Sequence, residues 1–213
     1  MSALDKNGKR TKLVTLQREL SACKACPQMI GPVVHGPPIV SAVYLLGQAP
    51  GPHEGKIGKP FAWTAGKTLF KWFEEEVGLD EATFRDSIYM SAVARCFPGK
   101  AKGGGDRKPA PDEIARCESY VRGEVEILEP KLVIPVGTLA ISRVLGDDYG
   151  KLVDVIGKTM RLPFLSVMTD VIPLPHPSGA STWHRVEPGK TLLSKALGLI
   201  AAHPEIRKLR RAA

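Results

Sequence analysis

Four short apolar runs constrain this chain more than any other feature of its sequence. They are "IVSAVYLLG" (39–47), "SIYMSAV" (87–93), "KLVIPVG" (131–137) and "VIPLPHP" (171–177). Each is rich in β-branched residues and stops at Gly, Pro or a polar loop. Runs of this length, apolar on both faces, read as strands buried in a parallel sheet. The segments between them carry helical spacing. In "PDEIARCESYVRGEVEILEP" (111–130), Ile114, Cys117, Val121, Val125 and Leu128 recur on one face, with Pro111 at the opening and Pro130 just past the end. "AGKTLFKWFEEEVG" (65–78), "GTLAISRVLG" (137–146) and "TLLSKALGLIAA" (191–202) complete the helical set. Alternating strands and helices predict an α/β fold, a three-layer α/β/α sandwich around a four-stranded parallel sheet, with residues 1–213 forming a single domain.

Such a sheet binds ligands beyond the carboxyl ends of its strands. Two loops sit at ends of this kind. The first, "GQAPGPHEGKIGKPF" (47–61), carries the amide of Gln48, the imidazole of His53 and the carboxylate of Glu54. Pro50 and Pro52 stiffen it, which suits recognition of a flat ligand by fixed backbone amides such as that of Ala49. Phe61 offers a stacking face and reads equally as a core aromatic. The second loop, "PHPSGASTWHR" (175–185), clamps His176 between two prolines. Ser178, Gly179 and Ser181 offer hydroxyls and amides to a phosphate, and Trp183 stands near Arg185. Neither phosphate-binding glycine motif is present. "AGKT" (65–68) resembles the tail of one but lacks the upstream glycine, so it reads as a helix start.

The net charge of +8, from 30 Lys and Arg against 22 Asp and Glu, favours a polyanionic partner or a plain solvated basic surface. The glycine-rich insert "GKAKGGGDRKP" (99–109) reads as a flexible connection whose bases, Arg107 among them, can meet a nucleic-acid backbone. The basic "RKLRRAA" at the end reads as a frayed tail. No apolar run approaches the ~20 residues of a membrane span, and the polar start shows no secretory core. A cytoplasmic monomer is expected. In a reducing compartment the four cysteines, Cys23, Cys26, Cys96 and Cys117, suggest metal ligation rather than disulfides. Zinc, an iron–sulfur cluster and, for Cys117, a plain core position all stay open on the residues alone.

Together the two loops resemble the motifs of the uracil-DNA glycosylase superfamily, nearest its iron–sulfur, family 4-like members. "GQAPGPHEGKIGKPF" is similar to their first motif, and "HPSGAS" to their second. The cysteine order, one C-x-x-C before the first strand, one after the second and one in the next helix, matches their [4Fe–4S] ligand pattern. The resemblance implies uracil-containing DNA as partner and hydrolysis of the N-glycosidic bond of an extruded uracil. It implies His176 as donor to the departing base and Glu54 as base or electrostatic stabiliser, with His53 as substitute. Departures stand out. Gln48 replaces a customary Glu and can position water but not deprotonate it. Ala92, with Ser91 beside it, falls where an Asn usually reads uracil. The insert holds no histidine, so covalent trapping of DNA is not expected. A non-catalytic reader of uracil or abasic sites is the competing expectation, and a general iron–sulfur redox protein a third.

Overall fold

A computed structural model describes residues 3–212. At its centre lie β1 (Val43–Gly47), β2 (Tyr89–Ala92), β3 (Leu132–Pro135), β4 (Met160–Phe164) and β5 (Val167–Val171), in the spatial order β2-β1-β3-β5-β4. Pairing of β1 with β2 and β3, and of β3 with β5, is parallel. The predicted parallel core is therefore present, but the sheet has five strands rather than four. The extra one, β4, pairs antiparallel to β5. Half-buried and exposed residues alternate along it until the buried Phe164, so it lacks the continuous apolar signature of a buried strand. Pro163 is tolerated there because an edge strand leaves one row of backbone donors unused. The run 171–177 begins where β5 ends and continues its ladder: the Ile172 and Leu174 amides donate to Val133 and Pro135 carbonyls at 3.1 and 2.9 Å.

Alternation along the strands divides the core. Val43, Leu45, Met90 and Ile134 face one side, under α3 (Thr64–Trp72, extended by a π turn Phe73–Val77), α4 (Glu81–Ser87) and α8 (Gly189–Ala202). Tyr44, Leu46, Tyr89 and Val133 face the other, under α1 (Ala3–Ser21) and α5 (Pro111–Leu128). α6 (Thr138–Leu145) contributes to both cores, and the short α7 (Leu152–Val155) buries Val155. Burying both faces of the sheet supplies the dominant favourable term in folding.

Both termini depart from expectation. α1 buries Leu13, Gln17 and Leu20, at helical spacings, against the domain. The basic end is no frayed tail: it forms α9 (Pro204–Ala212), with Ile206 fully buried and Arg210 donating to the Val77 carbonyl at 3.2 Å. Among the described residues no helix is long and apolar enough to cross a membrane.

Candidate active site

Both candidate loops open onto the carboxyl edge of the parallel strands, and they meet. One cavity of about 470 Å³ is walled by Gln48, Ala49 and Glu54 from the first loop, Phe61 and Trp63 beyond it, Ser91 and Ala92 at the end of β2, and His176 and Ser178 from the second loop. Backbone bonds hold the walls. The amides of Val93 and Ala94 donate to the carbonyls of Gly47 and Gln48 at 2.9 and 3.0 Å, tying the first loop to the chain leaving β2.

His176 is positioned by its neighbours. The Gly137 amide donates to Leu174 at 2.9 Å, and Gly137 itself adopts φ +85°. A Cβ there would lie 2.9 Å from the imidazole Cδ2, so glycine is required both for the backbone and for the ring. The Ser178 amide donates to Nδ1 at 3.2 Å. An Nδ1 that accepts places the proton of a neutral ring on Nε2. Burial lowers the His176 pKa below its ordinary 6.5, while the charge of Asp106 pulls the other way. The ring is thus held as a neutral donor.

Glu54 opens α2 (Glu54–Ile57) and is only 7% exposed. Its Oε2 accepts the Gly51 amide at 3.1 Å, bracing the loop it belongs to. Phe61 has φ +51°, a conformation that side chains rarely adopt. Arg85 secures it by donating to the Pro60 and Phe61 carbonyls at 3.0 and 3.2 Å. A Cβ on Gly66 would fall 1.7 Å from the Phe61 oxygen. That close approach explains the glycine in "AGKT", which does start α3.

Other expected residues lie elsewhere. His53 is off the cavity wall, stacked on Trp63 with ring centroids 4.0 Å apart. Gly179, Ser181 and Arg185 are also off it, on the loop beyond Ser178. Trp183, an expected DNA contact, is partly buried and packs against the core under α8. Arg107 forks onto Glu113 at 2.6 and 2.7 Å, and Glu113 in turn accepts the Ala110 amide that opens α5. That pairing commits Arg107 to bracing the insert. The insert itself is a hydrogen-bonded ribbon, not a loose connection: Lys100 and Asp106 form an antiparallel bridge, and the Arg107 amide donates to Gly99 at 3.0 Å.

Three features escaped sequence reasoning. Trp63, 44% exposed, is the aromatic at the cavity mouth. The ribbon brings Lys100 and Asp106 to the same cavity. Beneath Ser91 lies a buried network on Glu124, which receives the Tyr44, Tyr89 and Ser91 hydroxyls at 2.6, 2.8 and 2.8 Å and Arg95 at 2.6 Å. Burial works against the Arg95 charge, but Glu124, Tyr44 and Tyr89 together more than offset it and raise the pKa. Burial, then Glu124, also pushes both tyrosines well above their ordinary range, so they stay protonated donors. Ser91 Oγ is thereby occupied: it donates to Glu124 and accepts from Arg95.

Cys23, Cys26, Cys96 and Cys117 line a second cavity of about 380 Å³, and none is in a disulfide. Arg95 borders both cavities. Among the described residues no three metal-binding side chains close on a point that would hold a single ion. Burial, then the Cys117, Cys26 and Cys23 thiols, push the Cys96 pKa up to about 11. Four cysteines gathered on one cavity wall form a donor set of the kind that binds metal through thiolates.

Sheet, loops and cavity define an α/β protein with a cavity at the carboxyl ends of β1 and β2, closed by the loop that follows β5. The chain belongs to the uracil DNA glycosylase superfamily, whose family model matches residues 33–197. It is 30% identical over 174 residues to a type-4 uracil-DNA glycosylase of Sulfurisphaera tokodaii, covering 79% of this chain and 75% of the relative. Similar proteins of the same description occur in Thermotoga maritima, 28% identical across 62% of this chain and 66% of the relative, and in Archaeoglobus fulgidus, 25% identical across 76% and 79%.

Proposed function

We propose that this protein is a uracil-DNA glycosylase that hydrolyses the N-glycosidic bond of uracil in DNA and leaves an abasic site. One observation carries the reading: a neutral His176, its Nδ1 held by Ser178, shares a cavity with the stiff Gln48–Glu54 turn. Extruding a base costs a few kcal/mol, recovered by contacts in a fitted pocket. Phe61 supplies the stacking floor. As the bond breaks, negative charge develops on the uracil, and the His176 Nε2–H donates to its O2, with the backbone amides of Gln48 and Ala49 nearby. Preorganised donors of this kind are worth about 3 kcal/mol each. The positive charge left on the sugar faces the carboxylate wall of Glu54, and the Gln48 amide orients water without deprotonating it.

Ser178, Gly179, Ser181 and Arg185 remain candidates for phosphates, joined by Lys108 at the cavity rim. On this reading the protein acts as a monomer. Cys23, Cys26, Cys96 and Cys117 would hold a [4Fe–4S] cluster, which supplies a structural tie between the segment after α1, the chain leaving β2 and α5. No reaction step passes through it.

Gln48 and Ala92 favour one competing reading, a protein that binds uracil or abasic sites without cutting. Incubation with a uracil-containing oligonucleotide followed by alkali separates the two. Strand scission at uracil supports the enzyme, and retention without scission the reader.

A further inference from the structure

The first loop offers no base at its head, since residue 48 is an amide, and Glu54 is buried and engaged by Gly51. The cavity nevertheless contains a second carboxylate. Asp106 arrives from the opposite wall on the glycine-rich ribbon, where the Ala101 amide donates to the Gly105 carbonyl at 3.1 Å and the turn runs through Gly104 and Gly105 at φ +86° and +71°. Lys100 grips its Oδ1 at 2.6 Å. Its Oδ2 points inward: a side chain begun on Gly51 would meet Glu54 Oε2 at 2.9 Å and Asp106 Oδ2 at 3.5 Å. Gly51 thus leaves room for two carboxylates to converge. Of the charges around His176, that of Asp106 acts most strongly. Asp106 is also the more exposed of the two acids, hence open to water that Glu54 does not reach.

Resting on the glycosylase reading, we propose that Asp106 is a catalytic residue, a second carboxylate that joins Glu54 in facing the cationic sugar and the one that takes the proton of the attacking water. The balance is simple. The C1′–N bond breaks and its electron pair leaves with the uracil. A water oxygen bonds to C1′, and the proton that water sheds passes to Asp106 Oδ2. The uracil anion, held by His176, takes a proton from solvent on release. Lys100 holds the carboxylate in place through Oδ1. A glutamine at 48 is then tolerable because the ribbon supplies the acid from the other side.

Single-turnover excision on a uracil oligonucleotide tests this with wild type, Asp106→Asn, Gln48→Glu and the double variant, alongside DNA affinity and the pH profile. Asp106→Asn should slow excision about 10²-fold, leave DNA affinity within about threefold, and remove the acid limb of the pH–rate profile. Adding Gln48→Glu to Asp106→Asn should restore the rate at least about tenfold, because one carboxylate then substitutes for the other. An active wild type with Asp106→Asn within twofold of it, or with a rate loss matched by lost affinity, overturns the assignment to Asp106. A wild type that leaves uracil untouched overturns the glycosylase reading itself.

Discussion

The Ser178 amide donates to Nδ1 of His176, and that single bond fixes which ring nitrogen carries the proton. The proton can only sit on Nε2, the nitrogen left to act on a ligand. His176→Ala should therefore slow uracil excision by about 10²–10³-fold, the usual cost of removing one preorganised donor. Glu54→Ala should cost less, since Glu54 shares its duty with Asp106. Single-turnover rates for the two variants decide the order, and a larger loss at Glu54 would reverse the assignment.

The same burial gives stability a pH dependence. His176 and His184 both have folded pKa values lowered by burial. The unfolded chain then binds more protons than the folded one once pH falls through about 6.5, the ordinary value. Stability should be level from pH 8 to 7 and decline below that, until the lowered folded values are passed. Thermal melts across this range check the sign. His176→Asn should shallow the decline, whereas a melt that rises on acidification contradicts it.

The position of the ring depends on glycine at the end of β3. Gly137→Ala would combine a strained left-handed backbone with a Cβ 2.9 Å from the imidazole. The backbone strain costs about 1–3 kcal/mol. Displacing a reacting group by 1 Å costs about 10²-fold in rate. The variant should remain folded and lose far more activity than stability, as read by paired melts and excision rates.

How much of this was visible in the sequence follows from the physics of each part. The parallel strands were legible because burial on both faces demands an uninterrupted apolar run, as in β1 and β3. β4 was not, because an edge strand alternates and Pro163 argues against it. The helix that Pro111 opens ended at Leu128, with Pro130 past its end as expected. Yet Glu124, on its buried side, was not singled out by the apolar pattern of that helix. Nothing local announces that Arg95, Tyr44 and Tyr89 will surround it. His176, Gln48 and Glu54 were legible as strand-end residues. Asp106 was hidden among bases in a glycine-rich insert, whose pairing of Lys100 with Asp106 exists only once the ribbon folds.

Glu124 gives a stability prediction. Arg95 and Glu124 are 1% and 0% exposed. Glu124→Ala would strand the guanidinium, a loss of about 3–5 kcal/mol for a broken buried pair. Replacing both by Ala should cost less than Arg95→Ala and Glu124→Ala added together, since no uncompensated charge remains. Urea denaturation of the two singles and the double closes the cycle. Strict additivity would show that the pair does not act as a unit.

The cysteines can be read by eye and by melting. Protein purified without oxygen should be brown, with a broad visible band. Oxidative loss of the metal should bleach it and lower the melting temperature, each ~1 kcal/mol lost appearing as about 2–4 °C in a chain of this size. Cys96→Ser should produce the same pair of changes. A colourless protein containing zinc, or a bleached one with an unchanged melt, would overturn the proposal of a cluster on these four cysteines.

Trp63 completes the mouth of the cavity. It is 44% exposed, and His53 stacks on one of its faces at 4.0 Å between centroids. An indole backed in this way loses little freedom when a base stacks on its open side. Base–aromatic stacking contributes about 1–3 kcal/mol. Trp63→Ala should weaken binding to uracil-containing DNA by roughly 5–150-fold on that scale, while the chemical step at saturating enzyme changes much less. His53→Ala should give a smaller loss in the same direction, because it removes the backing rather than the platform. Titrations by anisotropy, paired with single-turnover rates, distinguish this from a role in bond breaking. A Trp63 variant with full affinity and a collapsed rate would move the residue from the mouth to the chemistry.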